Sequence, residues 1–183
     1  MKVYFIRHAQ AMERSAELTD EHRNLTCRGR KRFRQVAACL KKQGIDPDVI
    51  VTSPKVRAVQ TAEILAETLH FNGEVRISPD LATGPDPGVL ENLLRANGVA
   101  RELVIIGHEP ALGKVIGTLL HLPTPCNLTK GCVVSLKISL RHSDIRGELT
   151  GLITGGGKAI SRTSAALERL LTTKHTVKEE VTI

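Results

Sequence analysis

The run Leu103-Val104-Ile105-Ile106 is apolar without a break and stops abruptly at Gly107-His108. A strand with no polar alternation has no face to offer water, so it belongs in the middle of a sheet covered on both sides. The surrounding sequence supplies both more strands and the covering helices. Val3 to Ile6, Asp48 to Thr52 and Glu74 to Ser78 are the other candidate strands of this part of the chain. Thr26 can cap a helix whose apolar stripe is Phe33, Val36, Ala37 and Leu40, with Gly44 as its stop. Ser53-Pro54 has the form of an N-cap followed by proline at the first helical position, opening a helix that buries Ala58, Ala62, Leu65 and Leu69 and ends near His70. Pro85 to Pro87 marks a loop before a short helix over Val89 to Asn97, and Pro110 restarts a helix that runs through Leu120.

Strands alternating with helices predict right-handed βαβ units and an α/β fold in three layers, α/β/α, around a mainly parallel sheet. Beyond the Pro123/Pro125 loop the pattern changes. Cys132 to Leu140 alternates, with Val134, Leu136, Ile138 and Leu140 on one face, and Glu148 to Thr154 can pair with it as a hairpin, which makes the sheet mixed. A helix from about Ser161 to Leu171 precedes a charged tail. A length of 183 residues fits one domain spanning 1–183.

The chemistry gathers at three strand ends. The first strand runs into Arg7-His8, the second into Ser53-Pro54 with Arg57 one turn later, and the apolar strand into Gly107-His108. In an open parallel sheet the crevice at the carboxyl ends of the strands is where ligands bind. Arginine forks grip phosphate oxygens and stay charged at any working pH. An imidazole can be a nucleophile, an acid–base group or a hydrogen-bond donor. Helix starts at Ser53-Pro54 and Glu109-Pro110 add positive dipole ends to the same crevice. Everything there favours a dianion, and with no carboxylate cluster or third histidine at zinc spacing the expectation is phosphoryl transfer without a metal or other cofactor.

The net charge of +7 agrees with an anionic partner, but aromatic residues are only 2%, too few for the base-stacking platforms of single-strand binders. Nucleic acid is therefore not an expected partner. Nor is a membrane, since no apolar run approaches the ~20 residues of a span and Arg7 cuts short the only apolar N-terminal stretch. A cytoplasmic, monomeric protein is expected. Cys27, Cys39, Cys126 and Cys132 form no C-x-x-C pair and fit reduced structural thiols. Arg28, Arg30, Lys31, Arg32 and Arg34 fit a solvated helix face. Gly155-Gly156-Gly157-Lys158 lacks phosphate-loop spacing and is expected to be a turn before the last helix.

Arg7-His8-Ala9 resembles the R-H-G signature of the histidine phosphatase superfamily, whose fold is phosphoglycerate mutase-like. Leu25-Thr26-x-x-Gly29, Ser53-Pro54-x-x-Arg57-Ala58-x-Gln60-Thr61 and Gly107-His108-x-Pro110 resemble its later landmarks in the same order. Any one of these is common; four in sequence are specific. The resemblance covers about residues 1–120, and the short chain without long insertions is most similar to the SixA-type phosphohistidine phosphatases. It implies that His8 is the nucleophile and forms a phosphohistidine intermediate that water hydrolyses. It further implies that Arg7 and Arg57 clamp the phosphoryl oxygens, that His108 donates a hydrogen bond to them, and that Arg23 of Arg23-Asn24-Leu25-Thr26 also meets phosphate.

Two departures stand out. Ala9 replaces the usual glycine, and no general acid is obvious: Asp80 and Asp86 lie in the right region but suit loop or cap roles equally well. An alkoxide leaving group needs protonation in the transition state, whereas the imidazole of a phosphohistidine leaves with a weak acid or none. The short loop after the third strand also offers little material for a lid. The expected substrate is accordingly phosphohistidine on another protein. The alternatives are a small phosphoester, such as a sugar or nucleotide phosphate, and a non-catalytic anion-binding module.

Overall fold

The computed structural model describes residues 1–83, 87–141 and 145–172. Seven strands form one sheet in the order β3-β2-β4-β1-β5-β6-β7. The strands are β1 (Lys2–Arg7), β2 (Val49–Thr52), β3 (Val75–Ile77), β4 (Glu102–Gly107), β5 (Val133–Leu140), β6 (Ile145–Ile153) and β7 (Ala159–Ile160). The helices are α1 (Cys27–Lys42), α2 (Val56–Leu69), α3 (Asp80–Thr83), α4 (Pro87–Ala96), α5 (Ala111–Leu119) and α6 (Thr163–Leu171), with a short 3-10 turn at Asp20–His22. The first four strands are parallel; β5 turns antiparallel to β1, β6 to β5 and β7 to β6. The apolar run Leu103–Ile106 sits where its composition demands, with β1 on one side and β2 on the other.

Because side chains alternate across a strand, β1 and β4 feed two cores at once. Tyr4, Ile6, Val104 and Ile106 pack with Phe33, Val36, Ala37 and Leu40 of α1 and with Ala58, Ala62 and Leu65 of α2. Val3, Phe5, Leu103 and Ile105 face the other way, toward Leu90 and Leu94 of α4, Leu112 and Ile116 of α5, and Ala166 and Leu170 of α6. Each such aliphatic or aromatic side chain contributes about 1.5–3 kcal/mol when fully buried. The result is the expected three-layer α/β fold with a mixed sheet. The Thr26 hydroxyl caps α1 by accepting from the Gly29 N–H at 2.9 Å, and Gly44 ends the helix region at φ +72°.

Several local expectations need correction. α2 begins at Val56 with Lys55 as its N-cap, two residues beyond the expected start; the Ser53 hydroxyl accepts from the Lys55 N–H at 3.3 Å and pairs with a histidine at 2.8 Å. Leu69 is half-buried rather than buried. The Gly155–Gly157 segment turns β6 into the two-residue strand β7 rather than directly into α6, with Gly157 at φ +83°. A register shift between Ser135 and Leu136 interrupts the β5–β6 ladder. The cysteines are free thiols, with Cys126 and Cys132 buried. No helix among the described residues is long and apolar enough to cross a membrane. The charged tail beyond residue 172 lies outside the described residues, as does Asp86.

Candidate active site

The ladders of the parallel strands carry the site. His8 N–H donates to the Gly107 carbonyl at 3.0 Å and Ser53 N–H to the Ile106 carbonyl at 3.0 Å, so β1, β2 and β4 end in register. His8, Ser53, Arg57 and His108 are all buried there, and the two imidazole rings lie with centroids 5.0 Å apart, tilted by 55°. Residues separated by a hundred positions in the chain thus share one crevice, as the strand ends predict.

The hydrogen bonds of His8 define which nitrogen can react. Its Nδ1 lies 2.7 Å from the Ala9 carbonyl, an acceptor only, so Nδ1 carries the proton. Nε2 is left with its lone pair, and accepts from Arg57 Nε–H at 3.2 Å. Burial pushes the His8 pKa down to about 3, against the pull of the Ala9 carbonyl and with the push of His108, Arg57 and Arg7. His108 is pushed down to about 3 as well, by burial first and then by Arg57 and Lys55. Both rings are therefore neutral at neutral pH. A neutral imidazole with an oriented lone pair at Nε2 can attack phosphorus.

The residues between these groups explain the spacing of Arg57-Ala58-x-Gln60-Thr61. The Ala9 N–H donates to Thr61 Oγ1 at 3.2 Å, and that hydroxyl donates to the Arg57 carbonyl one turn back at 2.6 Å. Gln60 Oε1 accepts from the Leu25 N–H at 2.8 Å, tying α2 to the segment before α1. Ala58 is fully buried. Gly29 permits a close approach: a Cβ there would lie 2.0 Å from the Gln10 carbonyl oxygen. Ala9 in place of glycine costs nothing in backbone terms, because its φ is not positive. Gly131, at φ +75°, donates to the Arg7 and His8 carbonyls and closes the other side of the turn.

Arg7 is held from behind. Its Nη1 donates to the Leu128 carbonyl, while the Leu128 N–H donates to Glu109 Oε1 at 3.0 Å. Burial pushes the Glu109 carboxyl up, and the Leu128 N–H and Arg7 oppose the shift. Arg7 Nε and His108 Nδ1 are buried side-chain atoms without a hydrogen-bond partner among the described residues. His108 Nε2 pairs with the Ser53 hydroxyl at 2.8 Å. Two buried polar atoms left unpartnered at this site are groups that an oxygen-rich ligand could satisfy.

Arg23 also reaches the rim of the crevice, through Asp20. Asp20 Oδ1 accepts from Arg23 Nη2 at 2.7 Å, and Oδ2 accepts from Lys55 Nζ at 2.9 Å and Arg57 Nη2 at 3.0 Å. Burial pushes the Asp20 carboxyl up, but the hydrogen bonds from Lys55, Arg23 and Arg57 win and hold it well below the usual carboxylate range. Arg7, His8, Arg23, Arg57 and His108 are thus brought together. Asp80 is not among them: it is exposed at the start of α3, and its side chain has no hydrogen bond or ion pair among the described residues. Asp20, Lys55, Glu109 and the partner role of Ser53 are not evident in sequence. Asp20 at i and Arg23 at i+3 was the one available hint.

The sequence model of the histidine phosphatase superfamily (branch 1) matches residues 3–93. The chain is 31% identical over 141 residues to the phosphohistidine phosphatase SixA of Escherichia coli (strain K12), spanning 75% of this chain and 86% of that protein. It superposes on the structure of the protein histidine phosphatase SixA complexed with tungstate with a TM-score of 0.75 and 27% identity, covering 85% of this chain and 97% of the other. The alpha-ribazole phosphatase of Shigella flexneri shares the fold at a TM-score of 0.62 and 16% identity, over 81% and 95% of the two chains. Similarity of this extent, on a phosphoglycerate mutase-like fold whose parallel strands end in paired imidazoles, makes the protein a phosphatase of the histidine phosphatase superfamily.

Proposed function

We propose that the protein removes phosphate from phosphohistidine on another protein, with His8 as nucleophile. His8 Nε2 attacks phosphorus while the P–N bond to the substrate imidazole breaks, and that imidazole departs carrying a proton on its other nitrogen. Arg7, Arg57, Arg23 and His108 bind the phosphoryl oxygens as charge spreads onto them, which is most of what a loose phosphoryl transition state requires. Water then attacks the phosphorylated His8, releasing inorganic phosphate and restoring the neutral ring.

The observation that carries the reading is the tie of Asp20, the one carboxylate that the described residues place at the rim, to Arg23, Lys55 and Arg57. Asp20, held well below the usual carboxylate range, has no proton to give an alkoxide at neutral pH. Glu109 is occupied by Leu128 behind Arg7, and the exposed Asp80 side chain makes no hydrogen bond or ion pair among the described residues. A leaving group that departs without strong acid assistance fits this surrounding. The similarity to SixA, a phosphohistidine phosphatase, points the same way. A small phosphoester is the competing substrate, and Asp86 is the acid it would need.

The test compares turnover of a phosphohistidine protein with a panel of sugar and nucleotide phosphates, in wild type and Asp86→Asn. Preference for the phosphohistidine protein and indifference to Asp86→Asn are expected. A faster phosphoester that slows in Asp86→Asn overturns the substrate assignment while leaving the His8 chemistry intact.

A further inference from the structure

Asp20 takes up the hydrogen-bonding capacity on which a phosphoryl group depends. Beyond its contacts with Arg23 Nη2, Lys55 Nζ and Arg57 Nη2, its Oδ1 accepts from Arg23 Nε at 3.1 Å and from Arg14 Nε at 3.4 Å. Arg57 Nη1 donates to the Asp20 backbone carbonyl, and Arg57 Nε donates to His8 Nε2. All three guanidinium nitrogens of Arg57 are therefore committed to Asp20 or to His8. The lone pair of His8 that must reach phosphorus is covered by an Arg57 N–H in the same arrangement.

The depth of the partners indicates which member is removable. The side chains of Arg57, Arg23 and Lys55 are 5%, 14% and 19% exposed, while that of Asp20 is 28% exposed. The cations line the crevice and the carboxylate enters from its open side. A carboxylate and a phosphoryl group ask for the same charge-assisted donors, but the phosphoryl dianion carries the greater charge. Two such anions on one set of cations repel each other.

We propose that Asp20 is a displaceable stand-in for the phosphoryl group and sets selectivity for dianions. An arriving phosphoryl dianion takes over Arg57, Arg23 and Lys55, and Asp20 moves out to solvent. The Arg57 Nε–H then turns from His8 Nε2 to a phosphoryl oxygen, which uncovers the lone pair. Monoanions such as an acidic side chain of the partner lack the charge to evict the tethered carboxylate. This inference rests on the preceding reading of His8 and Arg57 as phosphoryl-binding groups.

Calorimetric titration of the full chain with inorganic phosphate tests it. Asp20→Asn is expected to bind phosphate about tenfold more tightly than wild type, or better, because the repelling charge is gone while the cations remain. Neutralising a carboxylate that stays in place would also relieve repulsion, so tighter binding is necessary and the displacement itself is read separately; unchanged or weaker binding overturns the proposal. In wild type, the carboxyl-carbon NMR signal of Asp20 is expected to move as phosphate is added; a stationary signal overturns the proposal whether or not the variant folds. Arg57→Ala separates the two levels. If it binds phosphate as wild type does, the phosphoryl seat itself is misplaced. If it loses binding while Asp20→Asn gains none, only the role of Asp20 fails.

Discussion

The floor of the crevice and its rim are held by different forces. His8, Ser53 and His108 are extensions of β1, β2 and β4, fixed by backbone ladders and sealed between two apolar cores. Arg23, Lys55 and Asp20 belong to turns and a helix start, and they are joined by charge at partly exposed positions. The floor therefore keeps its geometry whatever the crevice holds, whereas the rim can exchange partners. A catalytic centre that needs one rigid nucleophile and several adjustable clamps is served by this division.

The comparison breaks if acid does not attack the floor first. An imidazole whose folded pKa is depressed takes up its proton more readily in the unfolded chain. Its contribution to stability is thus complete above about pH 6.5 and lost as pH falls from there toward about 3. His8 and His108 should each add a slope approaching ~1.4 kcal/mol per pH unit across that window. Denaturant unfolding at a series of pH values checks this, and the slope should become shallower in His108→Ala.

A smaller effect is expected at Ser53. Ser53→Ala removes the partner of the buried His108 Nε2 and should destabilise the fold by about 1–3 kcal/mol, measured by the same unfolding experiment. The smallest belongs to the rim. Lys55→Ala should change stability by no more than about 1 kcal/mol, and by less at high salt, since its pair with Asp20 is partly solvated. A Lys55→Ala loss as large as that of Ser53→Ala would erase the distinction between the two regions.

The same division explains what could be foreseen from the amino-acid order. Arg7, His8, Arg57 and His108 are legible because an apolar run announces a strand and the next polar residue falls at its end. The α1 stripe and its Thr26 cap are legible for a similar reason: their signals are local. Ser53 before proline has the form of a helix cap, whereas its partner His108 lies 55 residues away and leaves no local signal. Asp20 meets Lys55 and Arg57 across 35 and 37 residues. It lies in a polar stretch without periodicity, so no pattern could pair them. β7 leaves no signal in the sequence, because two residues carry no alternation.

The central claim is that the lone pair at His8 Nε2 takes the phosphoryl group. Brief reaction with a phosphohistidine protein labelled on its phosphate, followed by alkaline quench and peptide mapping, tests it directly. An acid-labile, alkali-stable phosphate is expected on the peptide containing His8, absent from His8→Ala, which is also inactive. Full turnover by His8→Ala, with no labelled enzyme formed by wild type, would contradict it.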